Sequence, residues 1–218
     1  MDIQNIVSQE TARQDIYKSL ANCYRLPEEV IFTDLATLSD QLSNLNSEAA
    51  SYINRMLTEP DQSCDLELLR IEFTRLFIGP YSLPAPPYGS VYIEKERKVM
   101  GDSTIDVQQR YQNFGLDISK YFKEVPDHIT AELEFMFFLT YKEIESIRSN
   151  APEQAQEMLL HQKSFHNDHL NIWIPDFTDC VIEHAGIEFY RNLAKATRVF
   201  IAEDFEYLKN VSILATQG

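Results

Sequence analysis

Apolar residues recur every three or four positions along almost the whole chain, and this spacing is the strongest limit on its fold. Ile16, Leu20, Cys23 and Tyr24 mark one face of a first predicted helix, which stops before Pro27. Leu35, Leu38, Leu42 and Leu45 trace a second. Ser47 is placed to cap a third, with Ile53, Met56 and Leu57 inward and Pro60-Asp61 ending it. Leu66, Leu69, Phe73, Leu76 and Phe77 build a fourth, broken at Gly79-Pro80. Val107, Tyr111 and Phe114 belong to the next, where Gly115-Leu116 reads as a C′ glycine followed by an apolar residue.

After Pro126, Asp127 is the predicted N-cap of a strongly apolar helix carrying Ile129, Leu133, Met136, Phe137, Ile144 and Ile147. Pro152 suits the first turn of another helix, which holds Leu159, Phe165, His166, His169 and Leu170. "WIPDF" (Trp173–Phe177) is predicted to interrupt it. A last helical region spans Val181, Ala185, Phe189, Leu193, Phe200 and Leu208, with a dent at Gly186. Only Ser90–Met100 reads as a short extended piece. The fold expected is all-α, a compact globule of about eight to ten helices. Six glycines in 218 residues argue in the same direction, against β architectures and Gly-rich cofactor loops.

One stretch resists this pattern. "RLFIGPYSLPAPPYGSVY" (Arg75–Tyr92) holds four prolines, two glycines and three tyrosines between Gly79 and Tyr92. It reads either as a rigid lid over the core or as a recognition surface, with Tyr81, Tyr88 and Tyr92 ordered in advance by the prolines. Residues 1–218 are expected to form one helical domain, or two subparts, 1–100 and 101–218, joined by this Pro/Tyr-rich connection. The Gly79–Thr104 and Gly115–Pro126 connections would serve as hinges in a domain-swapped dimer; a monomer is the other expectation.

The formal net charge is −15, which speaks against nucleic acid or anionic lipid as a partner; it reads first as a solubility feature, and otherwise as a field that draws in a basic partner. Cys23, Cys64 and Cys180 are scattered and odd in number, so a cytoplasmic setting fits better than a disulfide framework. The N-terminus lacks the pattern of an export signal, and the apolar run Phe135–Leu139 is too short to span a bilayer. GxGxxG, P-loop, GxSxG, HExxH and Glu-x-x-His patterns are all missing, so no cofactor or nucleotide is expected. His166 and His169, with Asp168 beside them, share a helix face and read as packing residues or as an incomplete metal site. Asp127-His128 reads as a helix cap or as a polar grip at a helix mouth. A small helical enzyme or metal-binding protein using Asp127, His128 and His169 is the alternative reading.

Three patches in order, "EFTRLFIGP" (Glu72–Pro80), "APPYGSVY" (Ala85–Tyr92) and "PDHITAELEFM" (Pro126–Met136), together with "HLNIWIPDF" (His169–Phe177), resemble the TorD/DmsD-type redox-enzyme maturation chaperones, the group that includes NarJ-like proteins. The resemblance implies a cytoplasmic, all-helical chaperone without catalytic activity. It would bind the twin-arginine signal peptide, or the immature body, of a molybdenum-cofactor oxidoreductase and delay export while the cofactor is inserted. Phe73, Leu76 and Phe77 fall on the family's aromatic-x-x-Leu-Phe positions. Pro87, Tyr88 and Ser90 fall on its Pro-aromatic-x-Ser patch, and Asp127 and His128 on its Asp-His pair. Glu72 stands where the family often has tyrosine, and Tyr81 where it often has glycine. On chemistry alone, a cationic, apolar peptide calls for an apolar groove rimmed by carboxylates, to which Asp127 and Glu132 or Glu134 could contribute.

Overall fold

The two longest apolar patterns outside the C-terminal region become helices that pack directly on each other. These are α1 (Ile3–Cys23) and α7 (Ile129–Arg148). The computed structural model describes residues 3–58, 65–80, 82–94, 99–117 and 124–212. Within them α2 (Ile31–Asn44), α3 (Ala50–Thr58), α4 (Leu66–Phe73), α5 (Gly89–Ile93), α6 (Asp102–Asn113), α8 (Pro152–Phe165), α9 (Asn171–His184) and α10 (Glu188–Asn210) complete an all-α architecture with no sheet. α2 packs on α1 and α3, α8 on α7, and α10 on both α3 and α9. Pro60, Cys64 and Tyr81 lie outside the described residues.

Most of the predicted inward residues are buried, because a helix turning 100° per residue puts positions three and four apart on one face. Leu57 is an exception at 39% exposed; it sits beside Met56 on the outer edge of α3's stripe. The Gly115 reading holds in detail. Gly115 has φ 68, its N–H donates to Gln112 O, and the Leu116 N–H donates to Tyr111 O at 3.0 Å, the paired bonds of a Schellman motif.

Three expectations are corrected. "WIPDF" does not interrupt: α8 passes through a π turn, His166–Leu170, straight into α9, which carries Pro175 inside it. Pro175 has no N–H to give and crowds the preceding turn; the wider π turn just upstream lets the helix absorb it. Gly186 marks a full break rather than a dent. α9 ends at His184, and α10 begins at Glu188 and folds back against it. Ser90–Ile93 is helical, not extended.

A second π turn, Thr74–Ile78, prolongs α4 and closes with the Gly79 N–H donating to Thr74 O at 2.6 Å. Gly79 then leaves the helix at φ 32, a conformation suited to glycine.

Candidate functional site

The Pro/Tyr-rich segment meets the start of α7 through backbone hydrogen bonds. Tyr88 and His128 form an antiparallel bridge. The Gly89 N–H donates to Asp127 O, and the Ile129 N–H donates to Pro87 O, both at 2.9 Å. The two patches singled out from the sequence, 38 or so positions apart, therefore run side by side. Pro87, Tyr88, Ser90, Asp127 and His128 are brought together.

Asp127 does not cap its own helix. Its Oδ2 accepts the Ser90 N–H at 2.7 Å, so Asp127 caps the short helix α5 across the bridge. The N-cap of α7 is His128, whose Nδ1 accepts the Thr130 N–H at 3.2 Å. An aspartate and a cap position one residue apart cannot be told apart by residue type alone; the bridge to Tyr88 decides it by turning Asp127 toward α5. Burial, with a smaller contribution from the Arg25 charge, lowers the His128 pKa to about 4. The imidazole is thus neutral at pH 7, and its Nδ1 stays free of a proton to accept the cap bond.

Tyr88 is half-buried. Its ring meets the His128 ring edge-on at 5.4 Å, and its hydroxyl donates to Glu124 Oε2 at 2.7 Å. Ser90 is fully buried, and its Oγ accepts the Met100 N–H at 3.3 Å. Beneath this corner lies Glu132, 0% exposed, with Oε2 accepting the Trp173 indole N–H at 2.9 Å. Gly89 is closely packed there: a Cβ would come within 3.1 Å of Trp173 Nε1 and 3.2 Å of Glu132 Oε1, so a side chain would require these two to shift by a few tenths of an ångström.

Phe73, Leu76 and Phe77 lie in the core, at 5%, 0% and 4% exposure. The Phe77 ring contacts Phe73, Tyr24, Tyr190 and Phe177. From Phe177 the ring contacts continue to Tyr92 and Trp173, which stack on each other at 5.9 Å. Phe73, Leu76 and Phe77 connect to the Tyr88–His128 corner through that aromatic layer and through the Leu76 carbonyl, which accepts the Ala85 N–H at 3.3 Å. Glu72, at the family's usual tyrosine position, is also structural here. It takes both guanidinium contacts of Arg75, at 2.7 and 2.8 Å, and accepts the Gly186 N–H at the α9–α10 break.

His169 is held by Asp106 Oδ2 at 2.6 Å, and His166 is fully buried 3.8 Å from Asp204. Among the described residues no three His, Cys, Asp or Glu side chains converge as a metal centre requires. The alternative reading built on Asp127, His128 and His169 gains no support from this placement. The role of Ser90 as a buried link between α5 and Met100, and that of Glu132, were not legible. Their partners lie 10 to 41 positions away, and no periodicity signals such contacts.

The sequence family described as nitrate reductase delta subunit matches residues 39–179. The chain is 35% identical over 137 residues to the Tat proofreading chaperone DmsD of Salmonella typhi, covering 63% of this chain and 60% of that protein. It thus spans only about three fifths of the length of the DmsD relatives it matches. It is 26% identical over 219 residues to the chaperone protein TorD of a Psychrobacter species, covering 93% and 94% of the two chains. A crystal structure of a candidate redox enzyme maturation protein from Archaeoglobus fulgidus shares the fold, with a TM-score of 0.56 over 87% of this chain and 93% of that one, at 24% identity. Similarity over these lengths, and the patches that meet at the Tyr88–His128 bridge, show that the chain belongs to the TorD/DmsD-like family of redox-enzyme maturation chaperones.

Proposed function

We propose that this protein is a cytoplasmic chaperone that binds the twin-arginine signal peptide, or the immature body, of a molybdenum-cofactor oxidoreductase and delays its export until the cofactor is in place. The observation that carries this reading is the bridge between Tyr88 and His128. It gathers Pro87, Tyr88, Ser90, Asp127 and His128 at one corner, where a half-buried aromatic ring sits beside a neutral imidazole and a glutamate. Family membership supports it, as do the names of the matched relatives, which are those of chaperones.

In this reading Tyr88 and His128 touch the peptide. The apolar stretch of a signal peptide lies against the tyrosine ring, and the His128 ring packed edge-on to it flanks the contact. Asp127 and Ser90 hold the corner in shape from beneath, and Phe73, Leu76 and Phe77 support it through the Phe177–Tyr92–Trp173 layer. No bond is made or broken: the work is binding and release. Release is favoured by a site that uses few contacts and small area, because affinity tuning falls mainly on the off-rate.

Calorimetric titration with a synthetic peptide carrying paired arginines and an apolar segment tests the reading. Wild-type protein should bind it in the micromolar range. Tyr88→Ala should weaken binding about tenfold, the scale of a truncated aromatic anchor. His128→Asn keeps an acceptor for the Thr130 N–H, so it separates binding from capping. Absence of binding by the wild-type chain, to this peptide and to a molybdoenzyme precursor alike, would overturn the proposal.

A further inference from the structure

The corner already holds one guanidinium, and it belongs to this chain. Arg25 follows directly on Tyr24 at the end of α1, and its Nη2 donates to Glu134 Oε1 on α7. Both side chains are about half exposed, at 48% and 46%. The neighbouring backbone is fastened to the same helix face, because Thr130 Oγ1 donates to Tyr24 O at 3.3 Å and Thr130 lies one turn before Glu134. Arg25 is also near enough to His128 for its charge to act on the imidazole.

The other carboxylates of this corner are committed. Asp127 is 1% exposed and turned toward the Ser90 N–H; Glu132 is buried on Trp173; Glu124 takes the Tyr88 hydroxyl. Among these described acids Glu134 is the exposed one, and it is paired with an arginine. Arg25 does not come alone. Leu26 and Val30 beside it are 51% and 57% exposed, and the Arg70 Nε–H donates to Pro27 O at 2.8 Å, which draws α4 and its 59%-exposed Ile71 alongside. The chain thus lays its own arginine-leucine pair on the surface that a cationic, apolar peptide would seek. Guanidinium on carboxylate is a planar, directional pairing, so one arginine can replace another there with little change in geometry.

We propose that Glu134 is the arginine-receiving carboxylate of the peptide site and that Arg25 is its placeholder, displaced by an arginine of the incoming peptide. This rests on the peptide-binding reading above. An exchange of one guanidinium for another leaves the carboxylate paired throughout and makes each docking compete with an internal ligand. That competition costs affinity and speeds release.

A double-mutant cycle with the same paired-arginine peptide, at low ionic strength, tests it. Arg25→Ala should tighten binding about two- to fivefold, the worth of an exposed ion pair. Glu134→Gln alone should change it little, because it removes the Arg25 pair from the free protein as well as the peptide pair from the complex; in the Arg25→Ala background it should weaken binding by the same two- to fivefold. In the Glu134→Gln background, Arg25→Ala should change nothing. Equal tightening in both backgrounds would mean that Arg25 acts only through the long-range field, and would overturn the placeholder while leaving the peptide site standing. So would binding by the Arg25→Ala, Glu134→Gln double variant as tight as by Arg25→Ala alone. No binding by any variant, wild type included, would remove the parent reading and this one with it. Melting curves for each variant exclude loss of fold as the cause.

Discussion

Glu132 carries a carboxyl group into a place that does not favour a charge. It is fully buried, one oxygen accepts the Trp173 indole N–H, and the other has no partner among the described residues. Burial raises its pKa well above the ordinary carboxylate value; the Trp173 bond works against the shift, and the nearby Asp127 charge adds to it. In the unfolded chain Glu132 loses its proton near pH 4.5, while in the folded protein it holds the proton to higher pH. The folded state therefore binds more protons, and its stability falls as pH rises above that point. Glu132→Gln removes this penalty while leaving an acceptor for the indole. The melting-temperature advantage of the glutamine variant over wild type should widen between pH 5 and pH 8, and an advantage independent of pH would contradict it. His128 and His166 act in the opposite sense. Each has its pKa lowered by burial to about 4, so each contributes stability at neutral pH that is lost as pH falls from about 6.5 toward 4.

At the scale of elements, the boundaries set by local backbone chemistry are the ones the sequence reveals. Gly115 sits at φ 68 with open space around its Cβ position, so strain alone penalises a side chain there. Gly115→Ala should destabilise the protein by about 1 kcal/mol in urea unfolding, and Gly115→Asn by less, since asparagine tolerates the left-handed region better. The α9–α10 break shows the limit of local reading. Gly186 is held not by its neighbours but by Glu72 on α4, which also gathers Arg75. The Arg75 hydrogen bonds and the Gly186 N–H outweigh desolvation and lower the Glu72 pKa. This contribution is present above the ordinary carboxylate pKa and is lost as pH falls through the depressed one. A residue that departs from the family's usual tyrosine is thereby accounted for as the clasp of a helix turn.

At the scale of the molecule, a buried polar hub ties four helices together. Arg13 on α1, 1% exposed, donates to Asp204 on α10 at 2.5 and 3.0 Å and to Gln162 on α8 at 2.9 Å, and it also pairs with Glu10. Tyr17 donates to Asp204 at 2.6 Å, and Gln162 donates to Glu143 on α7 at 2.6 Å. Burial would lower the Arg13 pKa, but Asp204 and Glu10 together raise it well above the ordinary value, so the cation is secure. Arg13→Met would leave Glu10, Glu143 and Asp204 buried near one another without a cation. It should cost about 3–5 kcal/mol, measured as a shift in the denaturation midpoint. A loss below 1 kcal/mol would mean that water or protonation already neutralises the hub.

The amino-acid sequence by itself determined the helical class, most of the inward faces, the glycine-marked exits at Gly79 and Gly115, and the patches that make the family recognisable. These follow from side-chain periodicity and backbone strain, which act over one or two turns. The tertiary structure alone decided that Asp127 caps α5 rather than α7 and that Pro175 rides inside a helix behind a π turn. It also decided that Arg25 meets Glu134, 109 positions away. Each of these depends on a partner brought close by packing, and no local pattern encodes which distant group will arrive.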